Sequence, residues 1–179
     1  MRYFIGYLIP ESVAGWQNKL TDEISEEFKT WKISERIPPH ITISRPFNSE
    51  NIEVIKKLLA NWAENKSVPG NFTLSGFDHF TDRVVYINVE PETAVSGAII
   101  GLREQVNNIP EIKREDFPYH PHSTVAYQLP SVEIEKIWEY VQKLEKPFFV
   151  IPFDNVTIFR STGYQKWEID ETFRLAERK

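Results

Sequence analysis

Two phrases of the same form decide the fold of this chain: Pro39-His40-Ile41-Thr42-Ile43 and Pro121-His122-Ser123-Thr124-Val125. Each reads Pro-His-x-Thr followed by a β-branched residue, and the second histidine lies 82 positions after the first (122 minus 40). Side chains alternate between the two faces of an extended strand, so a His and a Thr two positions apart point the same way. The repeat therefore predicts two strands that each present one imidazole and one hydroxyl on a single face.

The order of helical and extended patterns around the first phrase returns around the second. Period-2 or β-branched runs predict strands at 3–9, 40–47, 71–80, 83–89, 122–128, 148–159 and 164–169. Amphipathic runs predict helices at 10–29, 49–65, 93–107 and 131–146, the last with Ser131 as its N-cap. A turn at Thr81-Asp82 joins the two strands that would close the first half, and the strands at 148–159 and 164–169 would complete the second half.

This order predicts an α+β fold built by internal duplication. We expect two lobes, each an antiparallel sheet with outer helices, that face each other across a central cleft and are related by a pseudo-twofold axis. Because no linker composition separates the halves, residues 1–179 are predicted to form a single bilobal domain.

Composition limits the classes of function. With 41% hydrophobic and 26% charged residues in 179, the chain is typical of a globular protein, and it has no cysteine for disulfides or thiolate chemistry. No apolar run approaches the length of a membrane span, and the N-terminus leads into a strand pattern rather than a signal peptide, so we expect a cytoplasmic monomer with no membrane contact.

The charge balance limits the partners. The net charge of −5 repels nucleic acid, and the clearest basic cluster, Lys113-Arg114, is followed at once by Glu115-Asp116. We therefore expect contact with an RNA end, a short oligonucleotide or a cyclic nucleotide, and no binding to long duplex nucleic acid.

Strand alternation also predicts which motif residues face the cleft. The face that carries His40 and Thr42 should be open to the other lobe, while the β-branched residues pack under helices. By the same parity Arg45 and Tyr127 should point away from the site, unless a bulge turns them. Ser123 falls on the packed face, where its hydroxyl needs a hydrogen-bond partner.

The paired phrases carry the residues for phosphodiester chemistry. Opening a cyclic phosphate with water needs a base on one side of phosphorus and an acid on the other. Imidazole suits both roles, because its ordinary pKa of ~6.5 allows one neutral and one protonated copy near neutral pH. We assign His40 and His122 as the acid-base pair and Thr42 and Thr124 as donors to the phosphate oxygens, with no metal and no cofactor.

His120 raises an alternative. His120 and His122 are two apart, a spacing that places two imidazoles on one strand face, and His40, Asp78 or Asp116 would complete a zinc site. However, Pro121 between them is unfavourable inside a paired strand. This places His120 in the loop before the strand, where it would orient His122 or contact substrate.

The two His-x-Thr-x phrases, at 40–43 and 122–125, resemble the motifs of the two-histidine (2H) phosphoesterase superfamily. Within it, length and spacing resemble the RNA 2′,3′-cyclic phosphodiesterase group, historically called 2′-5′ RNA ligases. The resemblance implies metal-independent opening of a 2′,3′-cyclic phosphate or a 2′-5′ linkage. It also implies that His40 is the acid for the leaving 3′ oxygen and His122 the base, which leaves a 2′-phosphate.

The chain departs from the group at two places. The RNA group often carries an arginine soon after the second motif, where this chain has Ala126-Tyr127, and Ser123 replaces the usual hydrophobic residue. Two further functions stay open: a non-catalytic module that binds nucleotides or RNA ends, and a zinc-dependent hydrolase that uses His120. Because both histidines and both threonines are present, the enzyme is the favoured hypothesis.

Overall fold

The computed structural model describes residues 1–80, 83–112, 118–127 and 131–177, with only the backbone described at 131 and 132. Several predicted features lie outside the described residues: the turn at Thr81-Asp82, the end of the second motif strand at Gln128, the charged run 113–116 and the side chain of Ser131. No helix in the described ranges is long and apolar enough to cross a membrane.

The predicted elements are present, with shifted ends. The strands are β1 (Arg2–Leu8), β2 (His40–Asn48), β3 (Asn71–Phe80), β4 (Val84–Pro91), β5 (His122–Tyr127), β6 (Phe148–Pro152), β7 (Asn155–Gly163) and β8 (Lys166–Arg174). The helices are α1 (Glu11–Phe28), α2 (Ile52–Glu64), α3 (Thr93–Asn107) and α4 (Ser131–Val141), and a short 3₁₀ helix spans Ile33–Glu35.

The eight strands form two antiparallel sheets, which confirms the predicted α+β class. One sheet has the order β2-β1-β7-β8 and the other has the order β5-β4-β3-β6. Every neighbouring pair in both sheets is antiparallel. Each motif strand, β2 or β5, therefore stands at the end of its own sheet order.

The predicted division of the chain into a first and a second lobe is wrong. Strands β3 and β4 do not join β1 and β2 but form the sheet of the second motif, and β7 and β8 return to the sheet of the first. Each sheet therefore draws strands from both halves of the sequence. A β-rich run shows that a strand forms, but nothing local to it shows which sheet it joins.

The strand predicted at 148–159 is two strands for the same reason. β6 ends at Pro152 and β7 begins at Asn155, so the chain passes from one sheet to the other at Phe153-Asp154. Phe153 is fully buried between the sheets, and Asp154 accepts hydrogen bonds from Arg174 and Asn155. The hydrophobic run is continuous across the break because Phe153 stays in the core.

Helix α4 is shorter than the predicted 131–146. After Val141 the backbone bonds tighten from i−4 to i−3, with Leu144 N–H donating to the Val141 carbonyl. Pro147 disfavours a helical conformation at the residue before it. The helix therefore ends well before Lys146.

The duplication is visible in the helices as well as in the motifs. Helix α1 begins at Glu11 and α3 at Thr93, the same 82-residue offset that separates His40 from His122. Helix α1 packs against β5 and α3 packs against β2, so each copy places its helix on the other copy's motif strand. This exchange is what a pseudo-twofold relation between the copies produces.

One continuous hydrophobic core joins the two sheets. Tyr7 of β1 is fully buried, with ring centres 5.1 Å from Phe72 of β3 and 5.8 Å from Phe153. The Tyr7 hydroxyl donates to the Pro152 carbonyl at 2.9 Å. Burying side chains of this size contributes roughly 1.5–3 kcal/mol each, and the shared core holds the two motif strands at a set separation.

Candidate active site

The motif strands place their residues as the alternation predicts. His40 and Thr42 are half-buried, as are His122 and Thr124, while the residues between and after them are buried. The open face of each strand thus carries one imidazole and one hydroxyl, and the packed face carries Ile41 and Ile43 or Ser123 and Val125.

Each motif strand has a β-bulge directly after its threonine. In β2, consecutive residues of β1 pair with Thr42 and Ser44, so Ile43 is the extra residue. In β5, consecutive residues of β4 pair with Thr124 and Ala126, so Val125 is the extra residue. The two bulges lie at matching positions of the repeat.

The bulges bring Arg45 and Tyr127 to the site. A bulge adds one residue to one strand and reverses the alternation beyond it. Arg45 and Tyr127 line cavities beside the histidines, whereas unbroken alternation predicted that they point away. The condition attached to that prediction, a bulge that turns them, is met in both strands.

Both histidine rings are oriented in the same way. Nδ1 of His40 lies 2.9 Å from the Pro38 carbonyl oxygen, and Nδ1 of His122 lies 2.9 Å from the His120 carbonyl oxygen. A carbonyl only accepts, so Nδ1 must carry hydrogen in each ring. This leaves Nε2 of both rings as the atom that takes or gives a proton.

Aromatic side chains pack against each imidazole. The His40 ring centre lies 4.9 Å from that of Phe4 and 5.3 Å from that of Phe159. The His122 ring centre lies 5.1 Å from those of Phe80 and Tyr86. These contacts restrict ring rotation and remove water from one side of each histidine.

The aromatic surroundings disfavour the charged form of both rings. The pKa of His40 is lowered to about 4, mainly by burial and also by the nearby His122, against the opposing effect of the Pro38 carbonyl. Burial also lowers the pKa of His122, with His120 contributing. Both shifts favour the neutral imidazole at pH 7.

His120 lies in the loop before β5, as predicted, and its backbone carbonyl orients His122. Its Nε2 is hydrogen-bonded to the Tyr86 hydroxyl at 3.2 Å. In the described ranges, no group of three or more His, Asp or Glu side chains is placed to hold a metal ion. The zinc hypothesis therefore finds no ligand set there, and Asp116 lies outside the described residues.

Two cavities meet at the motif residues. We call the first the neutral cavity, because its walls in the described structure carry no Asp, Glu, Lys or Arg; it has a volume of about 220 Å³. Three motif residues line it together with a mostly apolar wall: His40, His122, Thr124, Gln17, Asn18, Thr21, Ile33, Ile37, Pro38, Pro39, Val84, Tyr127, Gln165 and Trp167.

The second, which we call the cationic cavity, has a volume of about 260 Å³. It is lined by Thr42, Ile43, Arg45, Phe80, Arg103, Pro118, Tyr119, His120 and His122. His122 thus forms part of both cavities. The structure brings His40, His122 and Thr124 to one cavity and places Thr42 beside His122 in the adjoining one.

Gln17 supports the second motif and was not predicted. Its Nε2 donates to the Thr124 carbonyl at 3.0 Å, and its Oε1 accepts from the Ser123 hydroxyl at 2.9 Å. This contact supplies the partner that the buried Ser123 hydroxyl was predicted to need. The signal in the sequence was its position on the apolar stripe of α1, four residues after Val13 and three before Leu20, where the structure buries it.

This chain is similar in sequence and in fold to known proteins. A protein of Geobacillus kaustophilus named "Putative phosphoesterase" is 25% identical over 177 residues, which cover 97% of this chain and 95% of that protein. The crystal structure of TT0787 of Thermus thermophilus has a TM-score of 0.68 at 21% identity over the full length of both chains. Escherichia coli LigT in complex with 3′-AMP has a TM-score of 0.60 at 18% identity, over 98% of both chains.

A family model matches a larger part of the chain than the motifs alone. The match runs over residues 9–165, from the end of the first strand to the turn before the last strand, and includes both His-Thr phrases. The family is described as the 2′-5′ RNA ligase superfamily. On this match, with the two duplicated sheets and their paired His-Thr strands, the chain belongs to the 2′-5′ RNA ligase superfamily.

Proposed function

We propose that this protein is a metal-independent phosphodiesterase that opens a 2′,3′-cyclic phosphate, or a 2′-5′ linkage, of an RNA end or small nucleotide. One observation carries the proposal. His40 and His122 come from matching strands, have the same fixed tautomer and line one cavity together. Two imidazoles with Nε2 available are the acid and the base that in-line displacement at phosphorus needs.

The threonines complete the proposed mechanism. Negative charge grows on the non-bridging oxygens as water adds to phosphorus, and hydroxyl donors held in place stabilise that charge. Thr42 and Thr124 stand two residues after the histidines on the same strand faces. No side-chain nucleophile is required, since water is the attacking group.

The two cavities favour one assignment of acid and base. The neutral cavity, with its Tyr127 and Trp167 walls, suits an uncharged nucleoside, and His40 lines it but not the cationic cavity. The leaving oxygen belongs to the ribose of that nucleoside, so His40 is the proposed acid and His122 the proposed base. A bound phosphate anion raises the pKa of both rings and so supplies the protonated state that the acid needs.

The comparisons support a nucleotide ligand. LigT, whose fold is similar, was solved with 3′-AMP, which carries a phosphate next to a ribose hydroxyl. The name of the Geobacillus relative is that of a phosphoesterase. Both fit a cleft with one phosphate position and one nucleoside position.

The test is turnover of a nucleoside 2′,3′-cyclic phosphate. His40→Ala and His122→Ala should each lower kcat by about 10²–10⁴, and Thr42→Ala or Thr124→Ala by about 10²–10³. The double histidine variant should be little worse than the single ones, because residues that act as a unit are not additive. His79→Ala is the matched control, since His79 packs on Trp138 and lines neither cavity.

The alternatives predict other results. A nucleotide-binding module would bind cyclic nucleotides tightly with no turnover in the wild type. A zinc hydrolase would lose activity with a chelator and regain it with zinc. Near-normal turnover in both single histidine variants would rule out the acid-base pair.

A further inference from the structure

The two cavities are copies of one another under the internal duplication. The carbonyls of Pro38 and His120 hold the two histidine rings and lie 82 residues apart, as do the rings themselves. The same offset relates further lining residues of the cationic cavity to residues of the neutral one: Arg45 to Tyr127, Arg103 to Thr21, and Tyr119 to Ile37. One ancestral subsite thus stands on each side of the four motif residues.

The two copies have diverged in charge. Where one copy has Tyr127 and Thr21, the other has the guanidinium groups of Arg45 and Arg103. In a protein with a net charge of −5, this cavity places two arginine side chains beside the proposed phosphate site. One guanidinium group can donate two parallel hydrogen bonds to the oxygens of a phosphate. Two guanidinium groups therefore suit a phosphate with several free oxygens.

The Tyr119 hydroxyl points to the same ligand. It is buried and has no hydrogen-bond partner among the described residues, although a buried hydroxyl without a partner costs stability. The Arg103 guanidinium lies 5.1 Å from the centre of the Tyr119 ring. Burial raises the pKa of Tyr119, so the hydroxyl keeps its proton and is a donor at every ordinary pH.

We propose that the cationic cavity is a second anion subsite, which binds a second phosphate group of the substrate across the scissile phosphodiester from the nucleoside. The assignment rests on the proposed function for the identity of the scissile group. Thr42 and His122 line the cavity, so it adjoins the phosphate position directly. The substrate class is then a nucleotide that extends beyond the scissile bond and carries phosphate on that side, rather than a cyclic mononucleotide alone.

Direct binding tests the subsite without turnover. Inorganic phosphate fills one position, whereas inorganic pyrophosphate reaches the adjoining one. By isothermal titration calorimetry, we expect the wild type to bind pyrophosphate at least about tenfold more tightly than phosphate, the scale of one charge-assisted hydrogen bond. Arg103→Thr, which installs the residue found in the neutral copy, should bring the ratio of the two dissociation constants close to one.

Arg160→Thr is the matched control. It removes the same charge from an exposed pair with Glu168 that lines neither cavity, and it should keep the preference for pyrophosphate. Tyr119→Phe removes one hydrogen-bond donor and no charge, and should weaken the binding of pyrophosphate more than the binding of phosphate. This variant keeps the test decisive even if Arg103→Thr fails to fold. The subsite would be overturned if the wild type bound the two anions with equal affinity. It would also be overturned if Arg160→Thr lost the preference for pyrophosphate to the same extent as Arg103→Thr.

Kinetics then tests the substrate class. A 2′-5′-linked diadenosine monophosphate should show a KM at least about tenfold lower when its second nucleoside carries a terminal phosphate, and Arg103→Thr should abolish that difference. If both dinucleotides are turned over with the same KM, the second anion subsite is wrong while the phosphodiesterase stands. If neither they nor a cyclic nucleotide is turned over, the proposed function fails, and the anion titration still decides whether the cavity binds a second phosphate.

Discussion

At the scale of single residues, the site depends on atoms that no motif records. A backbone carbonyl two residues before each histidine selects the tautomer, and packed aromatic rings set its charge. The His-Thr spacing brings the imidazole and hydroxyl to one face, but the carbonyl leaves Nε2 as the unprotonated nitrogen and the rings lower the pKa.

The lowered pKa values predict the pH profile. The base must be neutral, so activity falls as the pH drops through its pKa; the acid must be protonated, so activity falls as the pH rises through its pKa. Because burial lowers the pKa of both rings in the free protein, to about 4 for His40, the maximum of kcat/KM should lie below pH 6.5.

The bound complex should behave differently. A phosphate anion favours the charged form of both rings, so the maximum of kcat should lie at higher pH than that of kcat/KM. Both profiles are measured by steady-state kinetics in buffers of constant ionic strength. A maximum of kcat/KM above pH 7 would contradict the burial of the pair.

Gln17 and Ser123 should be coupled in stability. Gln17→Leu removes the acceptor of the Ser123 hydroxyl and the donor to the Thr124 carbonyl, and should lower the free energy of unfolding by about 1–3 kcal/mol. Ser123→Ala should lower the free energy of unfolding less in the Gln17→Leu background than in the wild type. In that background the hydroxyl it removes already lacks its partner. Urea denaturation measures the free energy of unfolding of each variant, and Gln142→Leu on the exposed surface is the control. Additive effects of the two changes would show that the hydrogen bond contributes nothing.

At the scale of elements, two features decide what faces the cleft. The bulges after Thr42 and Thr124 reverse the alternation and bring in Arg45 and Tyr127. The crossing at Phe153-Asp154 sends β7 into the first sheet, where it pairs with β1, the neighbour of β2. Strand β7 therefore supports the first motif although it lies over a hundred residues after it in the chain.

The Asn155 side chain should stabilise this crossing between the two sheets. Its side chain accepts from the Leu8 N–H and donates to the Leu8 carbonyl, both at 3.0 Å, and Leu8 pairs with His40. Asn155→Ala leaves two backbone groups without these partners, so we expect a loss of about 2–4 kcal/mol in the free energy of unfolding. Amide hydrogen exchange at Leu8 should also speed up, whereas Asn48→Ala at the exposed end of β2 should change neither quantity. Unchanged exchange at Leu8 in Asn155→Ala would contradict this role.

At the scale of the whole molecule, interleaved lobes and an acidic surface shape the cleft and its ligands. The cleft lies between two sheets that share one core, so its width is set by the packing of both halves of the chain. The net charge of the whole chain is −5, while Arg45 and Arg103 line the cationic cavity beside Thr42 and His122. A small anion can therefore reach two arginines at the cleft, while the net negative charge of the protein disfavours a long polyanion.

Salt titration of RNA binding tests this charge distribution. The slope of log K against log salt concentration should correspond to about one to three phosphate contacts, because a single cavity and one scissile phosphate supply them. Binding to a blunt duplex should be weaker than to a single-stranded end of the same length. A slope equivalent to six or more contacts, or tight duplex binding, would reveal a nucleic-acid surface elsewhere on the molecule.

Local pattern by itself determined which segments are helical and which are extended, the duplication, the open face of each motif strand and the need of Ser123 for a partner. These depend on side-chain periodicity and turn chemistry, which act between residues close in the chain.

Tertiary structure alone decided that β3 and β4 join the second motif, that residues 148–159 divide between two sheets, and that Gln17 is the partner of Ser123. It also decided that Arg45 and Tyr127 turn inward, because a bulge is set by the pairing of two strands and not by either one. Strand partners and bulges depend on contacts between distant residues, and the shared core that selects them exists only once both halves of the chain have folded together.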